Sequence, residues 1–120
     1  MKQPSRIQCK RVQDPAEPSD GYRVLVDRIW PRGIKKEVLK ADDWRKNLAP
    51  STELRKWFGH DPARWAAFYQ KFHAELRQRP EQVDSLLAAC DGQVLTLLFA
   101  ARDREHNNAE ALRMFLLDHE

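Results

Sequence analysis

The sequence predicts a small three-layer α/β domain: a short, mostly parallel sheet of about three strands with helices on both faces. Three observations carry that expectation. Residues 94–101 are nearly continuously apolar, the pattern of a strand covered on both faces. Residues 22–29 form a second strand around three consecutive aliphatics, Val24, Leu25 and Val26. Helical periodicity fills the stretch between the two, which favours parallel pairing through a right-handed crossover.

The remaining elements follow in chain order. Residues 6–12 alternate Ile7, Cys9 and Arg11 against Gln8, Lys10 and Val12, as in a short strand with one apolar face. Two prolines, an Asp and a Gly make residues 14–21 a loop. Pro31 and Gly33 stop the second strand. Residues 35–47 read as weakly helical, anchored by Val38, Leu39 and Trp44. Pro50, Ser51 and Thr52 then open a helix with Leu54, Trp57 and Phe58 on one side, and Gly59 stands where a left-handed cap belongs. Asp61 and Pro62 supply an N-cap and a first helical residue. The long helix that follows carries a stripe of Trp65, Phe68, Tyr69, Phe72 and Leu76. Pro80 starts another, with Val83, Leu86, Leu87 and Cys90 on one face and Asp91-Gly92 at its end. A closing helix from about Asn107 presents Leu112, Phe115 and Leu116.

Length and composition bound the rest. A chain of 120 residues, read as the single domain 1–120, can bury a core without metal or disulfide staples. Lys and Arg total 21 against 18 Asp and Glu, a net charge of +3 that permits a local basic site without describing a nucleic-acid tail. Cys9 and Cys90 fit no ligand spacing, and a cytoplasmic protein with reduced thiols is the simplest reading. No apolar run approaches the roughly 20 residues that span a bilayer. The first residues lack the apolar core of a signal peptide, so export and membrane partners are not expected.

Candidate chemistry gathers where the strong strands run into charge. If they are parallel, Asp27, Arg28, Trp30 and Arg32 meet Arg102, Asp103 and His106 at one sheet edge, the place where open α/β sheets bind ligands. Arg28, Arg32 and Arg102 suit a bidentate clamp on phosphate or carboxylate. His106, Asn107 and Asn108 stand at the start of the last helix, whose N–H groups and dipole favour an anion. The same field keeps His106 neutral, available as a base. The alternative is structural: Asp27 with Arg102, or Arg28 with Asp103, as ion pairs closing the edge, and Asn107 or Asn108 as an N-cap.

A second constellation is Trp57-Phe58-Gly59-His60-Asp61-Pro62, flanked by Arg55, Lys56 and Arg64, which could stack on bases. Capping and core packing explain all of it except His60, so nucleic-acid contact is disfavoured. His73 reads as a boundary residue and His119 as part of a frayed end. Asp27, Asp103, Glu105 and His106 have no recognised metal-ligand spacing, so no metal is assigned. The absence of a Gly-rich phosphate loop, a GxSxG elbow and an HExxH helix argues against ordinary nucleotide kinases, α/β-hydrolases and zinc proteases.

At these same residues the chain resembles the YeaO-like family of small bacterial proteins, a domain family of unknown function. The resemblance covers nearly the whole chain. It is carried by Asp20-Gly21-Tyr22-Arg23-Val24-Leu25-Val26-Asp27-Arg28-Ile29-Trp30-Pro31-Arg32-Gly33, by the segment from Leu48-Ala49-Pro50-Ser51 to Gly59-His60-Asp61-Pro62, and by Thr96-Leu97-Leu98-Phe99-Ala100-Ala101-Arg102-Asp103 with His106-Asn107-Asn108-Ala109. Longer relatives place a helix between their first two strands, which implies a parallel first strand here and a shortened crossover at residues 14–21. Those relatives also carry Cys and Glu near the last strand exit and a Cys-His-Arg run at the next helix. This chain has Phe99, Ala101 and Arg102 at the exit and His106-Asn107-Asn108 in place of the run, so the resemblance brings no thiol chemistry and no established catalytic residue.

The resulting expectation is an enzyme or ligand binder acting on a small anionic or phosphorylated compound. Arg28, Arg32, Arg102 and Asn107 would hold the anion, Asp27 or His106 would handle a proton, and Trp30 would wall the pocket. The alternative is a non-catalytic module touching nucleic acid or a protein partner through the same basic edge. No cofactor and no oligomeric state is specified.

Overall fold

The computed structural model describes residues 3–118; His119 lies outside the described residues. Four strands form one sheet in the order β1-β4-β2-β3: β1 (Arg6–Arg11), β2 (Tyr22–Leu25), β3 (Asp43–Trp44) and β4 (Val94–Phe99). Every pairing is parallel, the first strand included. Leu98 sits opposite both Leu25 and Lys10, and Trp44 opposite Leu25, so all four strands end at one edge.

The fourth strand is a correction to the expected three. Residues 35–47 hold a one-turn helix, α1 (Lys36–Leu39), then β3 and the start of a 3-10 turn at Lys46, not a continuous weak helix. Asp42 N–H donates to Arg23 O and Arg45 N–H to Leu25 O, so Asp43 and Trp44 gain a sheet partner that no local periodicity encodes. A two-residue strand is too short to display period two. The second strand is also shorter than its apolar run: β2 ends at Leu25, and Ile29 is 60% exposed. Beyond it Val26 still donates to Leu98 O before the chain turns away.

Four helices, α2 (Thr52–Phe58), α3 (Trp65–Arg77), α4 (Pro80–Cys90) and α5 (Asn108–Asp118), pack into one apolar cluster with Val24, Leu95, Leu97 and Phe99. The predicted stripe of α3 is its buried face: Phe68, Phe72 and Leu76 are almost fully buried, with Trp65 and Tyr69 at the margin. Burying side chains of this size contributes about 1.5–3 kcal/mol each. A smaller cluster of Val12, Leu25, Leu39 and Leu98 lies under α1 and the segment carrying Trp30, Ile34 and Trp44. Helices therefore cover both faces, but unequally.

Part of one face of the sheet, over Gln8, Lys10, Arg23 and Thr96, is covered by a charged network. Asp20, 1% exposed, accepts from Arg23 Nη1 at 2.5 Å, from Lys10 Nζ at 3.1 Å, from Gln8 Nε2 at 3.2 Å and from Glu17 N at 3.0 Å. Thr96 Oγ1 donates to the Asp20 carbonyl. Gly21, at φ +64°, brings this loop against β4, where a Cβ would meet Val94 O at 2.4 Å.

Candidate functional site

At the edge where the strands end, the chain opens into a cavity of about 690 Å³. Its wall is drawn from the exits of β2 and β4, from the start and end of α2, and from the start of α5. Asp27 ties these together. Its Oδ2 accepts from Ala100 N at 2.9 Å, after β4, and its Oδ1 accepts from Asn108 Nδ2 at 3.0 Å, on the first turn of α5. The same Asn108 amide donates to Val26 O, and Trp44 Nε1 donates to the Asp27 carbonyl at 2.7 Å. Both partners of the carboxylate are neutral, and among the described residues no cation lies within ion-pair distance of it. Burial pushes the Asp27 carboxyl above its ordinary value, outweighing the bonds from Asn108 and Ala100 and the more distant charges of His60 and Arg55.

The two ion pairs that would have made this edge purely structural are not formed. Arg28 instead donates from Nε to Pro50 O at 3.2 Å and from Nη2 to Ala49 O at 3.4 Å, while Asp103 turns back on its own loop. Asp103 Oδ1 accepts from Glu105 N and His106 N, and Oδ2 accepts from His106 Nδ1 at 2.9 Å. The Glu105 N–H and the His106 contacts hold the Asp103 carboxyl below its ordinary value.

Of the residues expected at the site, Asp27, Arg28, Trp30, Arg102 and Asn107 line the cavity. Their side chains are not equally available. Asn107 caps α5, its Oδ1 accepting from Glu110 N at 2.8 Å and its Nδ2 donating to Asp103 O. Trp30 Nε1 donates to Ile34 O, and its ring meets Trp44 edge-on at 5.3 Å. Arg102 is exposed with no bond to another described residue. Arg32 is exposed and stands outside the lining, as does His106, whose ring bonds to Asp103 and meets the Trp65 ring at 80°.

The structure adds Arg55, Phe58, His60, Phe68 and Asn108 to the wall. Their signal was faint. His60 was the one residue of its segment that capping and packing left unexplained, and it follows the left-handed Gly59 with a positive φ of its own, 57°. Such a conformation is uncommon outside glycine, and the His60 ring lines the cavity beside Phe58. By contrast Trp57, 38% exposed, is flanked by Arg64 at 5.2 Å and Lys71 at 5.1 Å from its ring, and Phe58 is buried against Phe68 at 4.2 Å. The segment's aromatics already have partners within the chain.

Thiol chemistry has no place at this cavity. Neither Cys9 nor Cys90 lines it, and burial pushes both thiols up. Among the described residues no group of three or more His, Cys, Asp or Glu is arranged to hold a metal ion, and no helix is long and apolar enough to cross a membrane.

Comparison with known proteins places these features in a lineage. Residues 6–120 match the family model DUF488-N3i, described as the inactive DUF488-N3 subclade. The chain is 50% identical over 110 residues to the uncharacterized protein YeaO of Escherichia coli K12, covering 92% of this chain and 96% of that protein. It is 36% identical over 116 residues to the uncharacterized proteins Mb3100c of Mycobacterium bovis and Rv3073c of Mycobacterium tuberculosis, covering 97% of this chain and 98% of each. No solved structure matches it significantly.

Proposed function

The chain belongs to the YeaO-like DUF488-N3i family of bacterial proteins, and from that premise we propose that its strand-exit cavity binds a small anionic or phosphorylated compound without transforming it. The observation that carries this reading is the charge of the wall. Arg28, Arg55 and Arg102 stand with His60 against only two carboxylates, Asp27 and Asp103. Guanidinium groups offer paired donors that match carboxylate and phosphate oxygens. Arg28 is already fixed by the Ala49 and Pro50 carbonyls, so its remaining N–H groups need little further ordering on binding.

Size and polarity agree with a small molecule. A volume of about 690 Å³ falls within the roughly 300–1,000 Å³ of small-molecule sites, and Ile29, Pro31, Phe58 and Phe68 supply an apolar wall for a ligand body. The family's description as inactive supports binding over catalysis. The alternative of a nucleic-acid module gains no specific support, because Trp57 is flanked by the chain's own cations.

Calorimetric titration with inorganic phosphate, phenyl phosphate and benzoate tests the reading. Binding of at least one is expected, weakened roughly tenfold or more by R55A or R102A, each of which deletes a charged donor. R32A, outside the lining, is expected to bind as the wild type does. Failure of all three anions, or wild-type affinity in both R55A and R102A, would overturn it. A single-stranded oligonucleotide that binds with a steep salt dependence and is weakened by R102A, where none of the three anions binds, would favour the alternative.

A further inference from the structure

Resting on that reading of the cavity, we infer that Asp27 selects the ligand: it takes up one proton as the anion binds and donates the resulting O–H to it, so the site takes an oxyanion bearing an acceptor oxygen. The two donors on Asp27 favour its charged form, but their geometry also accommodates the neutral acid. Both partners of the Asp27 carboxylate, Ala100 N–H and the Asn108 amide N–H, are donors only. Each oxygen keeps a lone pair for its existing bond when the group is protonated, so the neutral acid loses neither contact. Its new hydrogen, however, has no acceptor in either partner, and must be met from the cavity.

The surroundings favour that state once an anion arrives. The charged groups that line the cavity with Asp27 are Arg55 from α2, His60 from the turn after it, Arg28 from Asp27's own segment, and Arg102 and Asp103 after β4; α5 contributes the neutral Asn108. Of these, His60 and Arg55 act on the carboxylate from a distance, and burial outweighs them. A bound anion screens the arginines and adds a second negative charge beside Asp27. Two anionic groups sharing one desolvated site are relieved when one of them holds a proton. An ion that offers charge but no oxygen acceptor, such as chloride, gains the arginines without this hydrogen bond.

Proton uptake distinguishes this inference from simple anion binding. Benzoate is a suitable probe, because it remains a monoanion above roughly pH 5.5 and carries an apolar body. Titrations of the wild-type chain in cationic buffers of differing ionisation enthalpy are expected to show up to one proton taken up per benzoate. The affinity should fall by up to tenfold per pH unit once free Asp27 is ionised. H60N tolerates the positive φ at that position and should retain the uptake even where affinity drops. D27N, which has no titratable group at this position, should bind benzoate without uptake and with little pH dependence. As a readout that needs no variant, the Asp27 carboxyl carbon resonance should titrate at higher pH with benzoate present than without. Binding without proton uptake, uptake that survives in D27N, or uptake abolished by H60N would overturn the inference and leave the anion site standing. No binding by benzoate, phosphate or phenyl phosphate would remove both.

Discussion

Two aspartates bracket β2, and they have opposite surroundings. Asp20, before the strand, is enclosed by Lys10, Arg23 and Gln8 and fully satisfied. Asp27, after it, is held by two neutral donors at the wall of a cavity. Burial raises the cost of charge at both. At Asp20 the Glu17 N–H and the bonds from Lys10 and Arg23 overcome it and lower the carboxyl's pKa, whereas at Asp27 burial prevails and the pKa rises. Charge near a strand end is therefore not in itself a site. A carboxylate answered by cations ties the fold together, and one answered only by neutral donors, with arginines lining the same cavity, is the arrangement on which the proposed anion site rests.

The sharpest way to break this contrast is D20N. It leaves Arg23, with 6% of its side chain exposed, facing a neutral group in place of its carboxylate. A loss of about 3–5 kcal/mol is expected from urea denaturation; a loss below about 1 kcal/mol would mean that the network is ornamental. Next in size is G21A, expected to cost about 1–3 kcal/mol because its Cβ meets Val94 O and its φ is positive.

D27N should cost only about 1 kcal/mol near neutrality, since it loses one hydrogen bond but also a desolvated charge. Its pH dependence should run opposite to that of D20N. The raised Asp27 pKa gives the wild type an advantage that is full below the ordinary value of 3.8 and disappears as pH rises through the folded value. The lowered Asp20 pKa gives an advantage that is full above 3.8 and is lost as pH falls through the folded value. Urea midpoints of the two variants across a pH series check both signs. Smallest of all, R102A should change stability by no more than about 0.5 kcal/mol while lowering anion affinity; a large destabilisation would show Arg102 to be structural.

The fold was legible where hydrophobic pattern decides it. The apolar run of β4, the stripe of α3 and the caps at Ser51, Gly59 and Asp61 are local signals, and each forms as its residues direct. β3 was not legible, because Asp43 and Trp44 become a strand only through bonds to Arg23 and Leu25. At the site, strand topology predicted that Asp27, Arg28 and Arg102 would share an edge, but not which partner each side chain would choose. Arg28 turns to the carbonyls of residues 49 and 50, Asp103 to His106, and Asn108 to Asp27. Those choices depend on where α2 and α5 begin in space, which one-dimensional spacing does not encode. Arg55 and His60 reach the cavity for the same reason, from a helix and the turn after it whose sequence pointed to stacking on bases rather than to the strand exits.

The central claim, that the strand-exit cavity is an anion site, is tested most directly by a two-dimensional NMR titration of the wild-type chain with benzoate. Saturable shifts confined to Asp27, Arg28, Arg55, His60, the residues 100–103 and Asn108 are predicted. Shifts clustered instead around Trp57, Arg64 and Lys71, or scattered and unsaturable across the lysines and arginines of the surface, would contradict it.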